Sequence, residues 1–446
     1  MKKSLKVLLL ATCGLVLFFI ISKDSISYKK SNYKNPYIKT PHGRDIPKEP
    51  AALPNEWMGH QRTYPYAKIK QENYLQAINE AQSLHQRNSS RELVWTAIGP
   101  ENIGGRITDL AYDKNEPDTI YVAAASGGIY KTINNGSSWE HIFKDSPVIS
   151  IGDIALDPNN SQVLYAGTGE ANASSYSFLG NGIWKSIDGG NNWEHIGLES
   201  SAYVGRIIVD YNNSDRVFVA ACGTLFSSNS QRGVYRTLNG GQSWDRVLFL
   251  NDSTAAIDLV QHPTDPDILY AAMWERTRGL NYRKSGGESS GIWKTINGGD
   301  SWIELENGLP YGDDVGRIGI DISLSNPDIL YAFYDQHIEA DQDYSFLGIY
   351  KTENAGNSWS QTNDNSIRDM SSRFGWYFGQ VRIDPSDPDR VYALGVDLVM
   401  TENGGDSWQA IAGYWNSNDI HVDHHAMIID PNTSKILIGN IMEDIT

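Results

Sequence analysis

The chain has 446 residues, with 54 acidic and 37 basic side chains and a formal net charge of −17; 40% apolar and 20% charged residues is a globular balance that excludes a disordered chain. The acidic balance argues against a nucleic-acid partner, which calls for a basic footprint, and two cysteines, Cys13 and Cys222, leave no disulfide framework or cysteine zinc site within one domain. Thirteen Trp, 24 Tyr and 41 Gly favour many short strands joined by tight turns.

The charge is uneven. Residues 1–50 hold ten Lys/Arg and three Asp/Glu, a net of +7, which leaves −24 for the remainder. Lys2, Lys3 and Lys6 precede an apolar run from Val7 to Ile21, so residues 1–22 read as a signal peptide or an N-terminal membrane anchor. A run of fifteen residues is short for a span, which needs about 20. Leu10-Ala11-Thr12-Cys13 vaguely resembles a lipoprotein box, with Thr12 against it. The protein is expected to be exported, to the periplasm, the cell surface or the medium, and to meet a membrane only through this segment. If the head is cleaved only Cys222 remains, read as a small buried apolar side chain. Residues 23–66 form a linker without apolar period, and 67–90 a helix with Tyr74, Ile78 and Ala81 at helical spacing, packed outside the main body.

From residue 91 the chain is a repeat. A short box recurs six times, as TINNGSSW (132–139), SIDGGNNW (186–193), TLNGGQSW (237–244), TINGGDSW (295–302), TENAGNSW (352–359) and TENGGDSW (401–408). Successive box tryptophans lie 54, 51, 58, 57 and 49 residues apart. A second element recurs seven times: an apolar strand, a turn with Asp, Asn or Pro, then a strand through Tyr121, Leu164, Phe218, Tyr270, Tyr331, Tyr392 and Leu437. Four short antiparallel strands about every 50 residues describe blades. The fold expected is all-β, a seven-bladed β-propeller over 91–446. The seventh pair of strands is Ala426–Ile438, its blade is incomplete, and the strand at Trp95 is the candidate to close the ring. Either the ring is imperfect or the chain is a fragment of a longer product. The box residues are structural: Asn134, Asp188, Asn239, Asn297, Asn354 and Asn403 accept hydrogen bonds inside the turn, and Trp139, Trp193, Trp244, Trp302, Trp359 and Trp408 pack on the blade.

These six boxes resemble the Asp-box (BNR) repeats of sialidases, sortilin (Vps10) ectodomains and xyloglucan-cleaving glycoside hydrolases. The nearest likeness is to exported bacterial sortilin-like or BNR-repeat glycosyl-hydrolase-like proteins. It covers residues 55–440 and is carried also by WTAIGPENIGGR (95–106), GTGEAN (167–172), MWERTR (273–278), GRIGIDIS (316–323) and HVDHHA (421–426). The resemblance implies a binding or scaffold module of the cell envelope with a polypeptide or polysaccharide partner and no cofactor. A monomer is expected. Its alternative is a glycoside hydrolase, or an inactive remnant of one. In such proteins a Gly-Asn pair usually continues into Asp-Gly-Gly; here Gly439-Asn440 runs into IMEDIT (441–446), which points to truncation.

Strand alternation puts the boxes and the tight Asp-Pro turns at one end of the ring. The long connections, 171–181, 223–232, 274–290, 334–347, 360–378 and 412–423, lie at the other, where binding usually sits on a rigid scaffold. They carry Tyr176, Trp376, Tyr377 and Trp415 among other aromatics suited to sugars or protein hot spots. At the same end the inner strands begin with Asp109, Asp153, Arg206, Asp258, Arg317, Gln380 and Ala426, which period-2 alternation turns toward the central channel. A mutually neutralising ring is the plainer reading of these charges, and a polar ligand mouth the functional one. His421, Asp423, His424 and His425 are the densest chemical cluster. Their spacing would allow a divalent ion, but three ligands so close on one strand reach a single ion poorly, so no metal site is assigned.

A glycosidase needs two carboxylates about 5–9 Å apart across the bond it breaks. In the xyloglucan-cleaving relatives one acid sits just before a Gly-Gly turn into a first-blade strand. Ala125 stands at that place here, and the partner acid belongs to a second propeller. Arg206 and Arg317 fit a sialidase arginine triad only loosely. Asp109 and Asp153 are the carboxylates to test, and no catalytic residue is assigned beyond them. GESSG (287–291) has the spacing of a hydrolase elbow but lies in a loop between strands, so it is read as coincidence.

Overall fold

A computed structural model describes residues 70–88 and 105–440, apart from 145, 173–176, 226, 279–282, 338–344 and 414–419, together with Tyr64. The chain divides into Met1–Ala52 and Leu53–Thr446. The expected signal or anchor segment (1–22), nearly all of the linker and the strand at Trp95 lie outside the described residues. Among the described residues no helix is long and apolar enough to cross a membrane. The one α-helix described, α1, spans Gln71–Asn88. Its Tyr74 Oη donates to the carbonyl of Leu179 at 2.8 Å, which fixes it against the long loop of the second blade.

Six four-stranded antiparallel sheets follow in chain order. The first holds β1 (Ile107–Asp113), β2 (Glu116–Ala124), β3 (Gly128–Thr132) and β4 (Glu140–His141). The second holds β5 (Ile151–Asp157), β6 (Asn160–Thr168), β7 (Ile183–Ser186) and β8 (Glu194–His195). The third holds β9 (Val204–Val209), β10 (Val217–Cys222), β11 (Arg232–Thr237) and β12 (Asp245–Leu248). In the fourth, β13 (Thr254–Gln261) and β14 (Leu269–Glu275) are separated from β17 (Gly291–Thr295) and β18 (Ile303–Leu305) by a small hairpin, β15 (Thr277–Arg278) and β16 (Arg283–Lys284). The fifth is β19 (Val315–Ile322), β20 (Leu330–Gln336), β21 (Phe346–Thr352) and β22 (Ser360–Gln361). The sixth is β23 (Gln380–Asp384), β24 (Asp387–Leu394), β25 (Leu398–Thr401) and β26 (Gln409–Ala412). A two-stranded sheet, β27 (His424–Ile429) and β28 (Ile436–Asn440), comes last.

The expectation of seven blades is therefore corrected to six. The seventh repeat supplies its first two strands only, and the described residues bring no third strand to β28. The first strand of each sheet packs on the first strand of the next, and β27 packs on β1, which places these strands innermost. The core runs between neighbouring sheets. Tyr121, Ile129, Phe143, Ile151 and Leu164 form one such cluster, and Phe333, Ile349, Val381, Val391 and Trp408 another. Leu110, Val122, Ala426 and Leu437 join the last hairpin to the first blade.

The box turns are hydrogen-bonded alike in all six blades. In the first, Thr132 Oγ1 donates to Asn134 Oδ1 at 2.8 Å, and the N–H of Ser138 donates to the same oxygen at 2.9 Å. Asp188 takes this role in the second, accepting from Ser186 Oγ and the N–H of Asn192. Those bonds hold its carboxyl below the usual range. The boxes also join blades. In the first four blades the cation just before the box reaches the next box turn: Lys131 to the Gly189 carbonyl (2.9 Å), Lys185 to Gly240 (3.1 Å), Arg236 to Gly298 (2.6 Å) and Lys294 to Ala355 (2.7 Å). Box tryptophans reach backward, Trp193 Nε1 to the Ile142 carbonyl (3.0 Å) and Trp244 Nε1 to Ile196 (2.8 Å). Trp408 Nε1 meets Thr362 Oγ1 at 3.1 Å, Trp359 is buried, and Trp139 is 37% exposed.

Candidate functional site

Six of the seven inner strands carry one extra residue near their starts, and β23 pairs in register there. The pairing register shifts at Ile107/Asp109, Ile151/Asp153, Ala220/Ala221 (opposite Arg206 and Val204), Ala256/Asp258, Val315/Ile318 and His424/Ala426. A bulge of this kind re-aims the next side chain. Two of the extra residues are Gly152 and Gly205; a Cβ there would lie 2.1 Å from the Val204 carbonyl and 2.3 Å from the Ile257 carbonyl, so glycine lets successive inner strands close up.

The residues after the bulges meet in the channel. Arg206 lies among three carboxylates, with Nη1 2.9 Å from Asp153 and 3.6 Å from Asp109 and Nε 2.9 Å from Asp258. The free carboxylate oxygens bond the next inner strand: Asp109 accepts the N–H of Ile154 (3.1 Å), Asp153 that of Ile207 (2.7 Å), and Asp258 that of Ile320 (3.2 Å). Asp321 repeats the pattern with Ile383 at 2.8 Å. Burial and the neighbouring Asp109 push the Asp153 carboxyl well up. Burial works against the Arg206 cation, but Asp258, Asp153 and Asp109 together raise its pKa overall. Burial likewise pushes Asp321 up to about 6. These side chains stitch the ring together.

The mouth at the loop-bearing end lies above this belt. After β6 the chain enters it as Gly169-Glu170-Ala171-Asn172. The Glu170 carboxylate is 1% exposed and takes two bonds from Arg106, one of them 2.7 Å from Nε. The Arg106 guanidinium lies 5.4 Å from the centre of the Tyr377 ring. Asn172 Oδ1 accepts from Arg317 Nη1 at 2.6 Å, and the same nitrogen donates to the Tyr377 carbonyl at 3.0 Å. Asn172 Nδ2 stands 3.5 Å from His425 Nδ1, and the His425 ring meets Tyr377 edge-on at 4.6 Å. Gln380 Nε2 donates to the His425 carbonyl at 2.6 Å. Arg317, Tyr377 and His425 thus converge, whereas Arg206 sits deeper in the belt.

The other expected residues fall around this centre. Trp376 is 8% exposed, beneath the Arg283 guanidinium at 3.9 Å. Phe374, Trp376, Tyr377 and Phe378 form a chain of ring contacts 5.1 to 6.0 Å long, which ends outward in Phe374 at 48% exposure. His421 is exposed, with Nδ1 2.8 Å from the Val422 carbonyl oxygen. Asp423 takes a positive φ of 71° before β27, and burial raises its carboxyl. His424 is fully buried, and burial lowers its pKa to about 4; burial takes His425 well below the usual range. Among the described residues no three His, Cys, Asp or Glu side chains are grouped to hold a metal ion. Tyr176 and Trp415 lie outside the described residues. Ala125 is buried. Ser289 Oγ donates to Glu275 at 2.8 Å, so the GESSG serine bonds a carboxylate. The Cys222 thiol is buried, and burial raises its pKa.

Sequence reasoning missed Arg106, Glu170, Asn172 and Phe374. The usable signal was charge inside short glycine-rich or apolar stretches: GGR (104–106) and GTGEAN (167–172) place single charged residues where burial is expected.

No family model matches the chain. It is 23% identical over 357 residues to xyloglucanase Xgh74A of Acetivibrio thermocellus, which covers 67% of this chain and 40% of that protein. A xyloglucanase from Paenibacillus sp is 22% identical, covering 66% and 32%, and the oligoxyloglucan-reducing end-specific xyloglucanase of Emericella nidulans is 22% identical, covering 70% and 42%. The chain spans about two-fifths of the length of the curated relatives it matches. Among solved structures, an ancestral GH74 enzyme superimposes with a TM-score of 0.59 at 21% identity, over 79% of this chain and 46% of that one. The chain is thus a β-propeller with GH74 xyloglucanase homologues.

Proposed function

We propose that this chain is a glycoside-hydrolase-type propeller that holds a polysaccharide across its loop-bearing end. The observation that carries the reading is the convergence at that end of an aromatic run that begins at exposed Phe374 and leads inward through half-buried Tyr377, with the Arg106–Glu170 pair beside Tyr377. Aromatic faces stack on sugar rings, and a buried ion pair beside them offers directional hydrogen bonds. The xyloglucanase homologues support this reading over a sortilin-like polypeptide scaffold, and export through residues 1–22 belongs with it. The role is holding rather than cleavage. Asp109 and Asp153 are engaged by Arg206 and by backbone N–H groups, and a buried alanine, Ala125, stands where the resemblance puts an acid.

Affinity electrophoresis of the full chain in gels containing xyloglucan, mixed-linkage glucan or a pectin tests the reading. Retardation by xyloglucan, weakened about tenfold or more by Phe374→Ala, is the expected result, together with no release of reducing ends. Migration unchanged in all three polysaccharides would overturn it. Hydrolysis abolished by Asp153→Asn in a folded variant would restore the catalytic reading.

A further inference from the structure

Beneath the mouth, two arginines lie against one indole. The guanidinium carbons of Arg276, just after β14, and Arg317, in β19, lie 4.6 and 5.9 Å from the centre of the Trp274 ring. They are 2% and 5% exposed. Arg276 donates one N–H to the Ala171 carbonyl, and Arg317 uses Nη1 on Asn172 and Tyr377. That leaves Arg276 Nε, Arg276 Nη2 and Arg317 Nε buried without a hydrogen-bond partner.

Neither arginine makes an ion pair among the described residues. The carboxylates that act on Arg317 at longer range are Asp258, already engaged by Arg206, and Asp335. Asp335 is fully buried, and burial pushes its carboxyl well up, which disfavours its negative form. Burial lowers Arg276 to about 9 and Arg317 to about 10, and the two cations each oppose the other or a neighbouring arginine. Arg232 shows the alternative nearby. Equally buried, it turns both terminal nitrogens onto the carbonyls of Ser253, Arg276, Thr224 and Ser227. Arg276 and Arg317 have too few carbonyls for that solution. Two buried like charges with three unused donors match one negative ion better than neutral water, because only an ion also removes the charge.

We propose that Arg276 and Arg317 together bind one small monovalent anion, of halide or formate size, enclosed beneath the Ala171–Asn172 segment. The site is independent of the polysaccharide reading. It would set the position of the segment that enters the mouth, since both arginines hold that segment.

The test is thermal unfolding of the full chain at constant ionic strength as sodium gluconate, too large to be enclosed, is replaced by chloride, bromide or formate. The midpoint should rise saturably by about 2–4 °C with each small anion. Arg276→Gln should abolish the saturable part. A linear change of the same size in that variant, or a midpoint indifferent to the anion, would overturn the proposal. If Arg276→Gln does not fold, crystals grown with bromide decide. An anomalous peak within hydrogen-bond distance of both arginines supports the site, and a water there overturns it.

Discussion

The two ends of the ring solve different problems with the same strands. At the box end every turn is the same Ser/Thr-x-Asn/Asp device, fastened to its neighbour by one forward cation in four blades and by one backward tryptophan in several. At the loop-bearing end the connections run from three residues between β2 and β3 to eighteen between β22 and β23, and ionisable groups are buried: Glu170, Arg276, Arg317, His424 and His425. Periodic turns that satisfy their own donors cost nothing further and build the scaffold. Aspartates are buried at the box end too, where Asp113, Asp157, Asp210, Asp384 and Asp430 each accept a backbone N–H of their own turn; the buried arginines and histidines of the loop-bearing end have no such repeated solution, and each depends on its own surroundings.

Breaking the inner belt should do most damage. Arg206→Ala leaves Asp109, Asp153 and Asp258 buried around a missing cation, and urea unfolding is expected to show a loss of about 3–5 kcal/mol. A smaller loss would mean that the belt is wet and the carboxylates free for other work.

The loop-bearing end should be the acid-sensitive one. His424 binds its proton near pH 6.5 in the unfolded chain but only at about pH 4 in the folded one, because burial disfavours the cation. The stability this contributes is present above pH 6.5 and is lost as pH falls through that window, by up to about 3 kcal/mol. His425 acts in the same direction. Asp321 acts oppositely, since its folded pKa of about 6 lies above the usual aspartate value of 3.8; its contribution is present at low pH and lost as pH rises through about 6. Stability measured from pH 7 to 4 should therefore fall less in His424→Phe than in the wild-type chain, and equal falls would remove His424 from the account.

The box latches should each matter least. Lys131→Ala removes one half-buried cation from the Gly189 carbonyl and from the Tyr121 face, and about 0.5–1 kcal/mol is expected in the same unfolding measurement. A loss as large as that of Arg206→Ala would show that blade joints, not the belt, carry the ring.

The box end was almost wholly legible. Six copies of one motif set the strand pairing, and the Asn or Asp at the third position was read as a turn acceptor from residue chemistry alone. The channel belt was half legible: alternation turned Asp109, Asp153, Arg206 and Asp258 inward, but their bonds to the next strand's N–H groups depend on bulges, which leave no mark in an apolar alternation. The seventh blade was counted as an incomplete one, on two strands with the strand at Trp95 expected to join them; β27 and β28 form a two-stranded sheet to which the described residues bring no further strand, and Trp95 lies outside those residues. The mouth was least legible. Arg317, Tyr377 and His425 were named for separate reasons, and their meeting point depends on Glu170 and Asn172, 145 residues from Arg317 in the case of Asn172.

The most direct test of the division between the ends is calorimetric titration of xyloglucan oligosaccharide into the full chain, Tyr377→Ala, Phe374→Ala and Lys131→Ala. Binding lost or weakened at least tenfold in the first two variants and unchanged in Lys131→Ala is the expected result. Binding that survives both aromatic substitutions, or fails in Lys131→Ala while that variant stays folded, would contradict the assignment of the ligand to the loop-bearing end.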